Sequence, residues 1–91
     1  MITKGKNKGT VRFVYQPANS VKKVCLAGNF TSWQPQAMTK QKNGSYMTTL
    51  DMESGRYEYK FMVDGNWLTD PDNEARVMNK HGTLNSVLVV E

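Results

Sequence analysis

At 91 residues the chain has room for one modest core and none for a second lobe or a deep catalytic cleft. A hydrophobic share of 38% excludes a disordered chain, and no apolar run approaches the length of a membrane span. The net charge of +4 permits nucleic-acid contact without arguing for it, because short charge runs are usually solvated surface.

Residues 1–8 read as a flexible basic leader, with Lys4, Lys6 and Lys8 among glycines, and residues 9–91 as a single domain. The leader lacks the apolar segment of a secretory signal, so the default expectation is a cytoplasmic protein or a domain excised from one. Thr10–Tyr15 alternates Val11, Phe13 and Tyr15 against Arg12 and Val14 and reads as a first strand. After the loop 16–20, residues 21–27 read as a second, with Val24 and Leu26 on one face. Cys25 lies inside that strand as a small apolar residue. It is the only cysteine, so no intrachain disulfide forms, and the sole histidine, His81, sits in a distant loop with no evident third partner, which argues against a nucleophile role for Cys25.

Gly28 ends the second strand, and Asn29-Phe30-Thr31-Ser32-Trp33 follows as a turn carrying two aromatics. Residues 36–40 read as one short edge strand, because Pro35 is tolerated only at a sheet margin. Asn43-Gly44 is a strong hairpin turn, and residues 45–52 form the next strand. Both Asn29-Phe30-Thr31 and Asn43-Gly44-Ser45 match the glycosylation pattern, and both are expected to be unmodified in a chain with no secretion signal.

The central stretch is residues 56–67. Tyr57, Tyr59, Phe61 and Val63 alternate with Arg56, Glu58, Lys60 and Met62, the pattern of a strand with one buried face. Asp64-Gly65 supplies a two-residue type I′ turn and so sets the register, pairing Val63 with Asn66, Met62 with Trp67 and Phe61 with Leu68. Cross-strand partners share a face. Leu68 therefore joins the core, while Trp67 falls on the open face beside Lys60. An indole there makes a poor core and a reasonable binding platform; the alternative is that it packs under a neighbouring loop.

Residues 69–74 are polar and proline-broken and read as an exposed loop, residues 74–78 as a helical turn, 79–83 as another loop and 85–90 as a closing strand. About seven short strands with turn signals between them predict an all-β, immunoglobulin-like sandwich.

Chemistry is sparse. A glycosidase needs two carboxylates flanking one bond, one of them desolvated. Asp70 and Asp72 lie close together but in the polar loop, and Asp64 is explained by its turn. One cysteine and one histidine make no zinc site, no phosphate-cradling glycine loop occurs, and no cofactor is implied. What remains is the pair Trp33 and Trp67 with polar neighbours. Sugars offer an apolar C–H face to an aromatic ring and a hydroxyl rim to Lys, Asn and Thr. Covering one indole face removes on the order of 100 Å² from water, worth roughly 2.5 kcal/mol. After the cost of association, the expected Kd is on the order of micromolar to millimolar. Lys60 with Trp67 is also a thin version of a nucleic-acid surface, the best competitor on residue chemistry alone.

Three blocks resemble one family. Residues 24–33, Val-Cys-Leu-Ala-Gly-Asn-Phe-Thr-Ser-Trp, resemble its strand, Gly, Phe-Asn-x-Trp opening. Residues 55–67, Gly-Arg-Tyr-Glu-Tyr-Lys-Phe-Met-Val-Asp-Gly-Asn-Trp, are similar to its second block, and Asp70-Pro71 with Gly82-Thr83-Leu84-Asn85-Ser86-Val87 to its third. Together they resemble carbohydrate-binding module family 48, which includes the glycogen-binding domain of the AMP-activated protein kinase β-subunit and the N-terminal domains of isoamylases and branching enzymes.

The resemblance implies an early-set immunoglobulin-like sandwich that binds α-1,4-linked glucans (glycogen, starch, maltooligosaccharides) without catalysing a reaction. By position, Trp33 and Trp67 would stack on sugars, Lys60 would donate to hydroxyls, and Thr83 and Asn85 would complete the polar contacts. Implied partners are the α-glucan and a catalytic domain or kinase subunit in cis or trans, with no nucleic acid and no membrane. Two positions depart from the pattern. His81 stands where the kinase-subunit domains carry an apolar residue, usually Leu, that helps to clamp the glucan. Phe30-Thr31-Ser32-Trp33 lacks the family's Asn, whose place in the turn Thr or Ser takes. The competing expectation is a protein-interaction or spacer domain of the same fold without sugar affinity.

Overall fold

The computed structural model describes residues 2–4 and 9–91. Ten strands among them run, in chain order, β1 (Ile2–Lys4), β2 (Thr10–Tyr15), β3 (Val24–Gly28), β4 (Gln36–Ala37), β5 (Thr39–Lys40), β6 (Tyr46–Asp51), β7 (Gly55–Val63), β8 (Asn66–Leu68), β9 (Arg76–Met78) and β10 (Leu84–Val90). They form two antiparallel sheets. One has the order β1-β2-β6-β5, the other β4-β3-β7-β10-β9, and β8 pairs with the end of β7. This is the expected all-β sandwich. Inward side chains of both sheets meet in one core, with Val11, Phe13 and Tyr46 facing Val24, Leu26, Tyr59, Phe61, Leu88 and Val90. Aromatic contacts tie the layers, with ring centroids 5.3 Å apart for both Phe13–Tyr59 and Tyr15–Phe61.

The strand count exceeds the expected seven or so for local reasons. The single edge strand expected over 36–40 is two. Gln36–Ala37 pairs with β3 and Thr39–Lys40 with β6, so the chain changes sheets at buried Met38. Residues 74–78 form no helical turn; Arg76–Met78 pairs along Leu84–Ser86 instead. Within the span expected as a flexible leader, Ile2–Lys4 pairs along Val11–Phe13 and covers that margin of the sheet; the rest of that leader lies outside the described residues. The strand expected from Val21 begins at Val24. The backbone amides of Lys22 and Lys23 donate instead to Asp64 Oδ1, at 2.9 and 2.8 Å.

The β7–β8 hairpin has the register that the Asp64-Gly65 turn dictates. Met62 faces Trp67 and Phe61 faces Leu68, and both turn residues have positive φ, 48° and 84°, as a type I′ turn requires. Leu68 does share the inner face with Phe61, yet it is 38% exposed rather than core. It is therefore half-covered at the end of a strand of only three residues.

Asp70 is the larger correction. The polar sequence around it places it in an exposed loop, but it is fully buried. Its Oδ2 accepts from the Tyr59 hydroxyl at 2.7 Å, and its Oδ1 accepts from the amide of Asp72 at 2.9 Å. Its own amide donates to Ser86 Oγ at 2.8 Å. Asn73 Nδ2 bridges the Tyr59 hydroxyl and the Val87 carbonyl, at 3.0 and 2.9 Å. A buried polar group is tolerated only when its partners are supplied, and here β7, β10 and the loop supply them. Burial pushes the Tyr59 pKa upward, which keeps its hydroxyl protonated and donating. The network pins residues 69–75 to the core and so fixes the two strands that leave it, β8 and β9.

Candidate functional site: an aromatic groove

The outer face of the larger sheet carries the site. Along β7 the inward residues are Tyr59 and Phe61, so Glu58, Lys60 and Met62 point outward. Trp67 stands opposite Met62 on that outer face.

Trp33 arrives from the other side of β7. After β3 the chain makes one 3-10 turn over Asn29–Thr31, in which Thr31 Oγ1 accepts from the Gly28 amide and donates to the Gly28 carbonyl, both at 3.0 Å. Thr31 thus closes the turn onto Gly28. Gly28 is required by space: a Cβ there would lie 2.4 Å from the Phe30 ring and 2.5 Å from the Glu58 carbonyl oxygen. Ser32 and Trp33 then both take left-handed backbone, φ 54° and 59°, and the Trp33 amide donates to the Gly28 carbonyl at 2.8 Å. The sharp reversal leaves Phe30 stacked on Phe13 and throws Trp33 outward.

The two indoles meet edge to face, centroids 6.5 Å apart and planes 74° from parallel. Trp33 is 37% exposed and Trp67 47%. They border an open groove of about 800 Å³ that Lys60, His81, Thr83 and Asn85 also line. All six residues singled out from the sequence therefore share one concavity.

Five other residues line it: Asn29, Glu58, Met78, Asn79 and Lys80. Asn79 organises the loop. Its Oδ1 accepts from the amides of His81 and Thr83, at 2.9 and 3.1 Å. Its Nδ2 donates to Thr83 Oγ1 at 2.7 Å and to Asn85 Oδ1 at 3.1 Å. Lys60 Nζ also donates to Thr83 Oγ1, at 3.1 Å. Buried Asn85 donates to Glu58 Oε1 at 2.9 Å, and Glu58 Oε2 pairs with Arg56 at 3.2 Å. Asn29 Oδ1 accepts from the Glu58 amide at 3.3 Å, where β3 has already left β7. The available signal for Asn79 was its place before Lys80-His81-Gly82, since Asn side chains close short loops onto following amides. Glu58 and Lys80 carry no sequence signature of their own.

The groove is a row of connected polar side chains beneath two bare aromatic rings. No three metal-ligating side chains cluster among the described residues. No helix among them is long and apolar enough to cross a membrane.

A sequence model described as the glycogen recognition site of AMP-activated protein kinase matches residues 10–91. The 5'-AMP-activated protein kinase subunit beta-1 of Sus scrofa is 35% identical over 78 residues, covering 86% of this chain and 62% of that protein. The beta-1 subunit of Rattus norvegicus is also 35% identical over 78 residues, but the match covers only 28% of its length. The chain thus spans less than two thirds of either relative. Among solved structures, a maltogenic amylase from S. marinus superposes with a TM-score of 0.77 at 25% identity, over 100% of this chain and 16% of that one. An enterochelin esterase from Shigella flexneri also reaches 0.77, at 16% identity, over 99% of this chain and 32% of that one, a likeness of fold alone.

Proposed function

Because the chain belongs to the family of the glycogen recognition site of AMP-activated protein kinase and is a carbohydrate-binding module, we propose that its groove binds α-1,4-linked glucans and catalyses nothing. Trp33 and Trp67 stack on successive glucosyl units. Lys60, His81, Thr83 and Asn85 hydrogen-bond their hydroxyls. The observation that carries this reading is the pair of half-exposed indoles set at a steep angle over one polar groove. A flat ligand fits one ring, whereas an α-1,4-linked chain turns from unit to unit and presents its faces in different directions. His81, in place of the apolar clamp, offers a ring edge and an N–H to the same sugar. The module works beside a catalytic domain or kinase subunit, in the cytoplasm, and brings it to the polymer.

Sedimentation with insoluble starch tests this. The chain should be retained, released by maltoheptaose, and retained to within about twofold at low and high salt, because no counterions leave a neutral polymer. A chain that stays in the supernatant under all conditions is the protein-interaction or spacer domain instead.

A further inference from the structure

We infer that the groove takes a glucan bearing phosphate monoesters in preference to an unmodified one, an inference that rests on the glucan reading above. The first observation is charge. Lys60 and Lys80 line the groove against one carboxylate, Glu58. Both Glu58 oxygens are already engaged, one by Arg56 and one by Asn85. Among the described residues no ion pair involves Lys60 or Lys80. Two cations face the ligand with no anion assigned to them, and a neutral sugar makes no use of the excess.

The second observation is hydrogen-bonding capacity. Thr83 Oγ1 accepts from both Lys60 and Asn79, so its two lone pairs are occupied and its O–H is left to donate. Lys60 Nζ has three hydrogens and directs one of them at Thr83. Asn79 has both hydrogens and both lone pairs engaged within the loop and offers the ligand nothing. Glu58 keeps spare lone pairs, but the free hydrogens of Lys60, Lys80 and Thr83 outnumber them, so the groove presents mainly donors. A sugar hydroxyl both donates and accepts; a phosphate monoester only accepts and carries a charge near −2 at neutral pH.

A nucleic-acid strand would also supply phosphates. It is the less fitting ligand, because strand binding requires cations spaced along a track of several nucleotides, whereas Lys60 and Lys80 converge on one groove.

Calorimetric titration of the whole 91-residue chain separates the outcomes. The ligands are maltoheptaose, maltoheptaose with one phosphate monoester on a C6 hydroxyl, and a single-stranded oligouridylate, at low and high salt. The phosphorylated sugar should bind roughly tenfold tighter than the neutral one at low salt, two charge-assisted contacts each contributing a few-fold. The advantage should shrink to about twofold when salt brings the screening length near 3 Å. Lys80→Gln should cut the low-salt ratio to about threefold. Equal affinity for the two sugars overturns the inference and leaves the glucan reading standing. Binding of neither sugar overturns both. An oligouridylate that binds tighter than the phosphorylated sugar also overturns the inference, by assigning the lysines to a nucleic-acid backbone.

Discussion

Replacing Trp67 by alanine is expected to cost the module roughly fiftyfold or more in affinity for maltoheptaose while leaving its fold in place. The indole stands on the outer face of β8, nearly half exposed, and no core residue depends on it. Covering one of its faces with a sugar is worth roughly 2.5 kcal/mol, which accounts for most of that factor. A substitution at such an exposed position shifts folding stability by about 0.5 kcal/mol or less. The melting temperature should therefore move by only about 2–4 °C in a domain of this size. Fluorescence titration and thermal melts of Trp67→Ala check both halves. Parental affinity would remove Trp67 from the site, and a collapse in melting temperature would make it a structural residue.

Asp70→Ala is expected to do the reverse, lowering stability by about 3 kcal/mol. The carboxylate accepts from the Tyr59 hydroxyl and the Asp72 amide, and each buried or half-buried donor left without an acceptor costs about 1–3 kcal/mol. The methyl group of alanine also leaves a void where the carboxylate sat, against Tyr59. The corresponding fall in melting temperature is about 15 °C. Asp70→Asn keeps the shape and one acceptor oxygen and should recover part of the loss. Urea denaturation gives the comparison; an Asp70→Ala midpoint equal to that of the parent would mean that the network does not hold the loop.

These two residues also mark what the sequence could and could not reveal. The placement of Trp67 was legible because it depends on local rules. Alternation along residues 57–63 sets the inner face, and a turn with two positive φ angles sets the register, so the outward direction of residue 67 follows from arithmetic. Burial of Asp70 was not legible, because it depends on Tyr59 and Ser86, 11 and 16 residues away in the chain. A polar, proline-containing loop looks solvated until its partners are known. The same holds for Lys22 and Lys23, whose amides are taken by the Asp64 carboxylate from more than 40 residues away. Arg76–Met78 was missed for another reason: a strand of three residues is too short to show its period, and pairing with β10 alone defines it.

At the groove, the six residues singled out from the sequence come together, whereas the residues that support them were not legible. Trp33, Lys60, Trp67, His81, Thr83 and Asn85 reach one groove, and the family pattern had already grouped them. Asn79 acts on other protein groups, and its role is visible only once the loop is closed around it.

The most direct test is a nitrogen-15 correlation spectrum of the chain recorded through a titration with maltoheptaose. The indole N–H signals of Trp33 and Trp67 should shift together along one saturable curve, accompanied by the backbone amides of residues 79–83 and little else. If those two indole signals stay still while the sugar saturates other positions, or if nothing moves at all, the groove is not the glucan site.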